Sequence, residues 1–380
     1  MKRILLADVF NLYNRGERLC VEAIIKHLSA DYGYLSIYSI LDPHFFLERK
    51  KRIELVKSSN ARALIIVQCF FHFCKAWLYH RTGNKRFLNG FLQKIINYDL
   101  AVDLGGETFQ DRYNLLGMLK HVYTLTLFSF LRLKYSVISH TIIFKNAFWW
   151  RISKPLLMNA VVLTVRDPDS QKFLRNQEVN CFLVPDVAFA FNKIKSAPLR
   201  SQINIGVNAS PFIQKHVNAY VNLVNILIER GYNVYLIPHV VSDRKRDDRL
   251  VLLQVWRKLK KENQHNVTVY LGNNFQTIKN LIDKCHIWVG SRFHSVIYAL
   301  GRGIPSICIG YSDKSLHLKH LLGELVTVVD GESPTFTEDI TNKILEIVDT
   351  YDVYVRKFQE EIGIVKEEAM KHIEMLRGAI

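Results

Sequence analysis

The segment VGSRFH, Val289 to His294, decides the fold, because it joins a strand pattern to a helix pattern. The apolar run from Cys285 to Val289 predicts a buried strand, and Ser295 to Leu300 predicts the helix that follows it. In open α/β sheets, ligands bind at the carboxyl ends of strands, where helix N-termini offer N–H groups. Arg292 carries a planar fork that fits a phosphate or carboxylate, and His294 exchanges a proton near neutral pH. The segment predicts an anion site beside a proton donor; its structural alternative is that Arg292 pairs with an acidic side chain and His294 caps the helix.

The same alternation of strand and helix patterns extends in both directions from VGSRFH. Continuous apolar strands separated by helices indicate parallel sheets that are covered on both faces. The predicted fold is therefore α/β, with two doubly wound Rossmann-like domains facing a cleft and with C-terminal helices. The predicted strands are residues 2–9, 64–67, 100–104, 135–144, 160–165, 181–184, 203–207, 235–238, 267–271, 287–289, 306–309 and 326–329.

One stretch interrupts this alternation and marks the expected domain boundary. Residues Asn192 to Gln202 are polar, basic and proline-containing, as is typical of a linker. We therefore expect an N-terminal α/β domain over residues 1–195 and a C-terminal α/β domain over residues 203–335. Residues 336–380 are expected to be helices that pack back across the domains. A cleft between two such domains is a common place for a ligand.

Composition and charge limit the partners of this chain. It has 380 residues, of which 49% are hydrophobic, and its 51 lysines and arginines exceed its 35 acidic residues by a formal net charge of +16. The hydrophobic fraction predicts packed cores rather than disorder. The positive charge favours an acidic small molecule or an anionic membrane surface as partner. We expect no nucleic-acid partner, because zinc-finger spacing, RNP-like segments and long basic helices are absent from the sequence.

Cysteines and apolar segments indicate the compartment. None of the six cysteines has metal-ligand spacing, so we expect free thiols, no metal and no cofactor. The opening residues MKRILLADVF predict a strand and not a signal peptide. Residues 61–79 and 115–131 come closest to membrane spans, but polar residues interrupt both, and they predict buried helices. The expected location is the cytoplasm, with these two segments as candidates for peripheral contact with the inner face of the membrane.

Polar residues follow several predicted strands, and together they are more specific than VGSRFH alone. This order and spacing resembles the polysaccharide pyruvyl transferase family, from Lys2 to about Gly323. The series VGSRFH, ALGRGIP and IGYSDK is the most specific part of the resemblance. In chain order the motifs are NRGE (Asn14–Glu17), GGE (Gly105–Glu107), TVRDPDS (Thr164–Ser170), VPDVAF (Val184–Phe189), LIPHV (Leu236–Val240), VGSRFH and IGYSDK (Ile309–Lys314).

The resemblance implies a fold like that of the GT-B glycosyltransferases and an enzyme that uses phosphoenolpyruvate as co-substrate. The implied reaction places a pyruvyl ketal on two hydroxyls of a sugar, in a cell-surface polysaccharide or in its lipid-linked precursor. Three first-half motifs depart from the family pattern. This chain has NRGE where the family has Asn-x-Gly-Asp, and GGE where the family has three glycines. It has SHTI (Ser139–Ile142) where the family has Gly-Gln-Ser-Ile-Gly-Pro. We expect the acceptor to bind the first domain and phosphoenolpyruvate to bind the second.

The expected roles follow from the chemistry of this substrate. A phosphate and a carboxylate require cationic and N–H donors. His294 is the expected catalytic acid, and the catalytic base is open among Asp186, Glu107 and Glu17. The expected donor-binding residues are Arg292, Arg166, Lys314, Ser291 and Ser295. The expected acceptor-binding residues are Asn14, Glu17, Gly105, Gly106 and His239.

Alternatives stay open for residues and for function. The structural alternative for Arg166 is an ion pair with Asp167 or a helix start, and for Lys314 it is a position in a solvated turn. For His239 and His140 the alternative is a purely structural role. Paired glycines most often form a tight turn. The alternative enzyme is a GT-B-type glycosyltransferase that uses a nucleotide sugar in polysaccharide biosynthesis, because fold does not fix function. A third possibility is a non-catalytic protein that binds an anionic glycan or a membrane.

Overall fold

Two parallel β-sheets hold the apolar strands that the sequence predicts, with the exception of residues 64–67. The structure is a computed structural model, and its residues form two compact units. Unit 1 comprises Met1–Leu12, Cys20–Val187 and Glu368–Ile380, and unit 2 comprises Tyr13–Leu19 and Ala188–Glu367. The structure describes residues 2–7, 15–28, 34–38, 55–56, 62–104, 106, 109–110, 115–191, 193–195, 202–241, 247–310 and 313–380.

Unit 1 is built on a sheet of seven parallel strands. Their order is β3-β2-β1-β4-β6-β8-β9, which is the doubly wound arrangement with its switch point between β1 and β4. Strands β5 and β7 form a separate parallel pair. The strands are β1 (Arg3–Ala7), β2 (Tyr34–Tyr38), β3 (Leu55–Val56), β4 (Leu100–Asp103), β5 (Phe109–Gln110), β6 (Tyr135–His140), β7 (Ile142–Ile143), β8 (Leu163–Val165) and β9 (Phe182–Leu183).

Three helices of unit 1, α3, α5 and α6, begin where the sequence offers a capping side chain. Asn89, Asn146 and Asp167 each accept a hydrogen bond from a backbone N–H of the first turn that follows them. The helices are α1 (Arg15–Leu28), of which Arg15 to Leu19 belong to unit 2, α2 (Arg62–Thr82), α3 (Gly90–Ile95), α4 (Leu115–Phe130), α5 (Ala147–Met158) and α6 (Pro168–Asn176). The predicted strand at residues 64–67 is wrong, because these residues lie inside α2. A short apolar run has the same periodicity in a buried strand and in a helix.

Unit 2 repeats the doubly wound arrangement with six parallel strands. Their order is β12-β11-β10-β13-β14-β15, with the switch point between β10 and β13. Strands β10, β13 and β14 are buried over nearly their whole length, as expected for a sheet with helices on both faces. The strands are β10 (Asn204–Asn208), β11 (Asn233–Leu236), β12 (Val267–Val269), β13 (Ile287–Gly290), β14 (Ser306–Gly310) and β15 (Val326–Asp330).

Helices cover the sheet of unit 2 and form the end of the chain. They are α7 (Val217–Glu229), α8 (Asp248–Lys258), α9 (Lys261–Gln264), α10 (Phe275–Ile282), α11 (Phe293–Gly301), α12 (Asp313–Leu322), α13 (Phe336–Asp349) and α14 (Tyr351–Ala379). The predicted α/β class, with two doubly wound domains and a helical C-terminus, is confirmed. The domain boundaries at residues 195, 203 and 335, and the packing of the last helices across the domains, stay predictions.

The two apolar segments that come closest to membrane spans form parts of α2 and α4. Among the described residues, none of the helices has the length and hydropathy required to cross a membrane. In α4, Thr124, Leu125, Leu127 and Phe128 are fully buried. This part of the segment therefore lies in the core of unit 1, as the sequence predicts.

Candidate functional site

The VGSRFH segment lies at the switch point of the unit 2 sheet. Asn208 at the end of β10 is paired in register with Gly290 at the end of β13. Ser291 and Arg292 follow at once, and α11 begins at Phe293. The strand-to-helix turn predicted from the sequence therefore lies where doubly wound sheets bind their ligands.

Arg292 is held by a buried carboxylate. Its Nε and Nη2 donate to Oδ1 of Asp248 at 2.9 and 2.6 Å. The other oxygen, Oδ2, accepts from the backbone N–H groups of His239 and Val240 and from the Asn208 amide, at 2.9, 2.8 and 3.1 Å. Asp248 is fully buried at the first position of α8. Arg292 thus has the acidic partner of the structural alternative, and this pair fixes the position of its guanidinium.

His294 is positioned by a glycine from the start of the chain. The half-buried ring lies so close to Gly16 that a Cβ on that residue would be 2.2 Å from Nδ1. Only a residue without a side chain leaves room for the ring in this position. The residue that precedes α11 is Arg292, and no side-chain hydrogen bond caps the helix there. His294 is therefore not the helix cap that the structural alternative proposed.

Arg15 and His239 lie in the same cluster. Nη1 of Arg15 donates to the backbone carbonyl of His239 at 2.5 Å, and Nη2 donates to the carbonyl of Asn273 at 3.1 Å. Arg15 is 3% exposed, and burial lowers its pKa to about 10, although Asp248 opposes this shift. Burial and then the charges of Arg15, His294 and Arg292 hold the pKa of His239 well below its usual value. His239 is therefore a neutral imidazole among cations.

The two serines expected to bind the donor make hydrogen bonds within the turn. The hydroxyl of Ser291 donates to the Asn208 carbonyl at 3.2 Å. The hydroxyl of Ser295 donates to the Arg292 carbonyl at 2.7 Å and accepts from the Trp288 indole at 3.3 Å. Both residues are buried, so their hydroxyls stabilise the shape of the turn.

A second polar group lies at the carboxyl end of the unit 1 sheet. Nη1 of Arg166 contacts Oδ2 of Asp186 at 2.8 Å, and its Nε donates to the Thr141 hydroxyl at 3.1 Å. All three residues are buried. Asp167 instead caps α6 by accepting from the N–H and hydroxyl of Ser170, at 2.8 Å each. Arg166 therefore pairs with the expected base Asp186 rather than with its neighbour Asp167.

Of the residues singled out from the GGE and SHTI motifs, the structure describes Gly106 and His140. Gly106 has φ of +68°, which L side chains rarely adopt, so this position requires glycine. His140 is fully buried, and its Nε2 lies 3.2 Å from Oδ1 of Asp103 without hydrogen-bond geometry, so its predicted structural role stays a prediction. Asn14, Gly105 and Glu107 lie outside the described residues.

Two of the predicted residues lie at helix starts. Lys314 is the second residue of α12, and its side chain is not described. Glu17 lies in the first turn of α1 and is half-buried. In the sequence this glutamate is the neighbour of Gly16, which belongs to the same unit as His294.

Three residues of the unit 2 cluster are not among those predicted from the sequence: Arg15, Asp248 and Asn208. The NRGE motif predicts roles for Asn14 and Glu17, on either side of Arg15. Arg15 itself is not predicted, because an arginine at a helix start has no distinctive sequence pattern. Asp248 lies among alternating acidic and basic residues, which are more typical of a solvated surface. Its complete burial is the property that the sequence did not reveal.

Comparison with known proteins agrees with the fold and with the motifs. The chain is 24% identical over 356 residues to the amylovoran biosynthesis protein AmsJ of Erwinia amylovora, covering 87% of this chain and 84% of that protein. Among solved structures, a glycosyltransferase from Rickettsia africae superposes with a TM-score of 0.61 at 10% identity, over 100% of this chain and 98% of the other. UDP-GlcNAc 2-epimerase from Neisseria meningitidis superposes with a TM-score of 0.58 at 10% identity, over the whole of both chains.

These two structures show the GT-B type of fold. The family model of the polysaccharide pyruvyl transferases matches residues 14–313, which include every motif quoted above except the last residue of IGYSDK. The chain belongs to the polysaccharide pyruvyl transferase family and is a transferase enzyme.

Proposed function

We propose that this enzyme transfers the pyruvyl group of phosphoenolpyruvate to two hydroxyls of a sugar and forms a pyruvate ketal. The observation that carries the proposal is the placement of His294 in the same strand-to-helix turn as Arg292, with its ring held against Gly16. This arrangement combines a group that transfers protons with cations that bind an anion.

The reaction requires one proton to move to carbon. His294 donates a proton to the methylene carbon of phosphoenolpyruvate, which leaves positive charge on the adjacent carbon. A sugar hydroxyl attacks that carbon, the bond to the phosphate oxygen breaks, and a second hydroxyl closes the ketal. Of the two hydroxyl protons, one replaces the proton given by His294 and the other leaves with inorganic phosphate. A fixed imidazole supports this step, because proton transfer requires a short and well-oriented contact.

The anionic groups of the donor require a positive site that does not collapse when the donor leaves. Arg292 is suitable because the Asp248 carboxylate holds its guanidinium in one place. Ser291 and Ser295 support the site by shaping the turn, and Lys314 and Arg166 are proposed as further donor-binding residues. No metal and no cofactor enters this scheme.

The hydroxyl proton requires a base, and Asp186, Glu107 and Glu17 remain the proposed candidates. Asp186 is engaged by Arg166 at 2.8 Å, which disfavours its taking a proton. Glu17 is favoured among the described residues, because it follows Gly16 in the segment that contacts His294. Asn14, Gly105 and Gly106 are proposed to bind the acceptor, whereas His239, which the sequence predicts to bind it as well, lies with Arg15 and Asp248 in unit 2.

The proposed acceptor is a sugar of a cell-surface polysaccharide or of its lipid-linked precursor. The relative named for amylovoran biosynthesis supports an acceptor in polysaccharide assembly. We propose that the enzyme acts in the cytoplasm and meets this acceptor at the inner face of the membrane. The net charge of +16 and the exposed aromatic residues Phe70, Phe71 and Trp77 of α2 support contact with an anionic lipid surface.

Phosphate release from phosphoenolpyruvate, measured with a panel of glycan acceptors, tests this function. His294→Ala is expected to abolish turnover and to retain donor binding, which equilibrium titration would measure. Arg292→Ala would leave Asp248 buried without its cation, at a cost of about 3–5 kcal/mol in folding stability. The informative variant is therefore Arg292→Ala combined with Asp248→Asn, which removes both charges and is expected to weaken donor binding.

Two results would contradict the proposal. One is phosphate release by His294→Ala at the wild-type rate. The other is sugar transfer from a nucleotide sugar without any requirement for phosphoenolpyruvate, which would identify the alternative GT-B glycosyltransferase.

A further inference from the structure

We propose that Arg15 and His239 form a second oxyanion-binding position beside Arg292, so that the two anionic groups of the donor are bound by different arginines. This inference rests on the proposed function for the identity of the donor. The site itself would take the oxygen atoms of a phosphate or of a carboxylate.

The charges of the cluster carry the first step. Asp248 forms its two charged hydrogen bonds with Arg292. The neighbouring Asp247 forms an ion pair with the half-buried Arg249. Among the described residues Arg15 forms an ion pair with no carboxylate, and Nη1 and Nη2 of its guanidinium donate to backbone carbonyls. Three guanidinium groups thus share two carboxylates. The charge left over belongs to Arg15, which is the most deeply buried of the three.

A buried cation without an anion is costly, and its retention therefore requires a reason. The two carbonyl contacts of Arg15 occupy two of the five N–H bonds of a guanidinium and fix the plane of the fork. The remaining N–H bonds match the geometry of an oxyanion. A bound phosphate or carboxylate would neutralise this charge where no side chain of the described residues does so.

His239 supplies an independent observation. It is 3% exposed, and among the described residues neither ring nitrogen has a hydrogen-bond partner. Its backbone N–H is held by Asp248 and its carbonyl by Arg15, so the ring stays near both cations. A buried imidazole that lacks partners costs free energy unless a ligand completes its hydrogen bonds. As a neutral ring, it would donate one N–H to an oxyanion without adding a further buried charge.

Arg292 and Arg15 therefore have different proposed roles in binding the donor. Arg292 is largely neutralised by Asp248 and is suited to orienting one end of the donor. Arg15 provides the unneutralised charge and is suited to the more highly charged end. His239, which the sequence assigned to the acceptor, would instead contact the donor.

The test measures binding of inorganic phosphate, pyruvate and phosphoenolpyruvate to the full chain by equilibrium titration. Arg15→Gln removes the charge, Arg15→Lys keeps it without the fork, and His239→Phe removes both ring nitrogens. Arg257→Gln is the matched control, because Arg257 is an exposed arginine of the same unit. We expect Arg15→Gln to weaken phosphoenolpyruvate binding about tenfold or more, and Arg15→Lys and His239→Phe to weaken it several-fold. Arg257→Gln should stay within about twofold of wild type, as surface substitutions do.

The probes identify the oxyanion that Arg15 binds. A loss of phosphate affinity with unchanged pyruvate affinity assigns the phosphate to Arg15, and the reverse result assigns the carboxylate. Folded Arg15→Gln protein that binds all three probes as tightly as wild type would overturn the proposal.

A spectroscopic measurement on the wild-type chain covers the case in which the variants do not fold. Saturating phosphoenolpyruvate should shift the ring-nitrogen resonances of His239, and unchanged resonances would overturn the proposal. Failure of the proposed function would give a different result from failure of this inference. No ketal would form, but phosphate binding would still depend on Arg15.

Discussion

At the residue scale, close contacts made by Gly16 and Asp248 hold the side chains of the proposed site in position. Gly16 lies against the ring of His294, and Asp248 accepts hydrogen bonds from Arg292, from Asn208 and from two backbone groups. The proposed catalytic acid and the proposed anion-binding arginine are therefore positioned by residues that take no part in the proposed chemistry. Positioning of this kind matters because misplacing a reacting group by about 1 Å costs about a hundredfold in rate.

Gly16→Ala tests the positioning of His294. The added Cβ would lie 2.2 Å from Nδ1 of the ring, which must therefore move. We expect turnover to fall about a hundredfold, measured as phosphate release with phosphoenolpyruvate and acceptor. Gly90→Ala is the matched control, because that glycine also begins a helix and a Cβ there meets nothing within 4 Å. Equal turnover in the two variants would show that the ring of His294 need not keep its position.

At the element scale, α14 links the end of the chain to the unit 1 sheet. Residues from Glu368 onward belong to unit 1, where His372, Ile373 and Leu376 are fully buried. A carbonyl can only accept, so Nε2–H of His372 donates to the Pro185 carbonyl at 2.8 Å. In the neutral ring, Nδ1 then accepts from the Thr164 hydroxyl at 3.1 Å, and that hydroxyl also accepts from the N–H of Ser139 at 2.8 Å. Burial favours this neutral imidazole, because it lowers the pKa of His372.

The neutral His372 predicts a loss of stability in acid. Burial lowers its pKa from 6.5 to about 4. Between these two values the unfolded chain holds a proton that the folded chain does not, so the free energy of unfolding falls as the pH falls. The expected contribution is a loss of about 2 kcal/mol at pH 5 relative to pH 8, measured by urea denaturation. His239, whose pKa is also lowered by burial, acts in the same direction.

Variants separate His372 from the other histidines. His372→Gln removes the titrating group and is expected to reduce the difference in stability between pH 8 and pH 5. His265→Gln, at an exposed histidine, is expected to leave that difference unchanged. If both variants retain the wild-type difference, the acid sensitivity does not come from His372.

At the scale of the whole molecule, the net charge of +16 is the property that governs encounter with an acidic surface. The aromatic residues of α2 add a local apolar contact, because Phe70, Phe71 and Trp77 are 66%, 57% and 43% exposed. The charge favours anionic lipid over a neutral surface, and the local apolar contact adds affinity for a bilayer of either kind.

Vesicle co-sedimentation tests the proposed membrane contact. We expect binding to vesicles that contain about one third phosphatidylglycerol, and release on raising the ionic strength from about 0.1 M to about 1 M, because the Debye length shortens from about 10 Å to about 3 Å. Phe70→Ser combined with Trp77→Ser should weaken binding about tenfold at low salt. The matched control combines Val353→Ser and Ile364→Ser, which change exposed apolar residues of α14. Equal binding of the two double variants would rule out the α2 surface as the contact.

The sequence by itself determined the fold class, the strand-to-helix turn at VGSRFH and the assignment to the family, because apolar periodicity and motif order are properties of neighbouring residues. It also identified Arg292, His294 and His239 as polar residues at strand ends. Only the tertiary structure showed that Arg292 pairs with Asp248, 44 residues away, and that Arg15 donates to the His239 carbonyl over a separation of 224 residues. Partner choice and burial depend on which strands the fold brings together, and no local pattern in the chain records that choice.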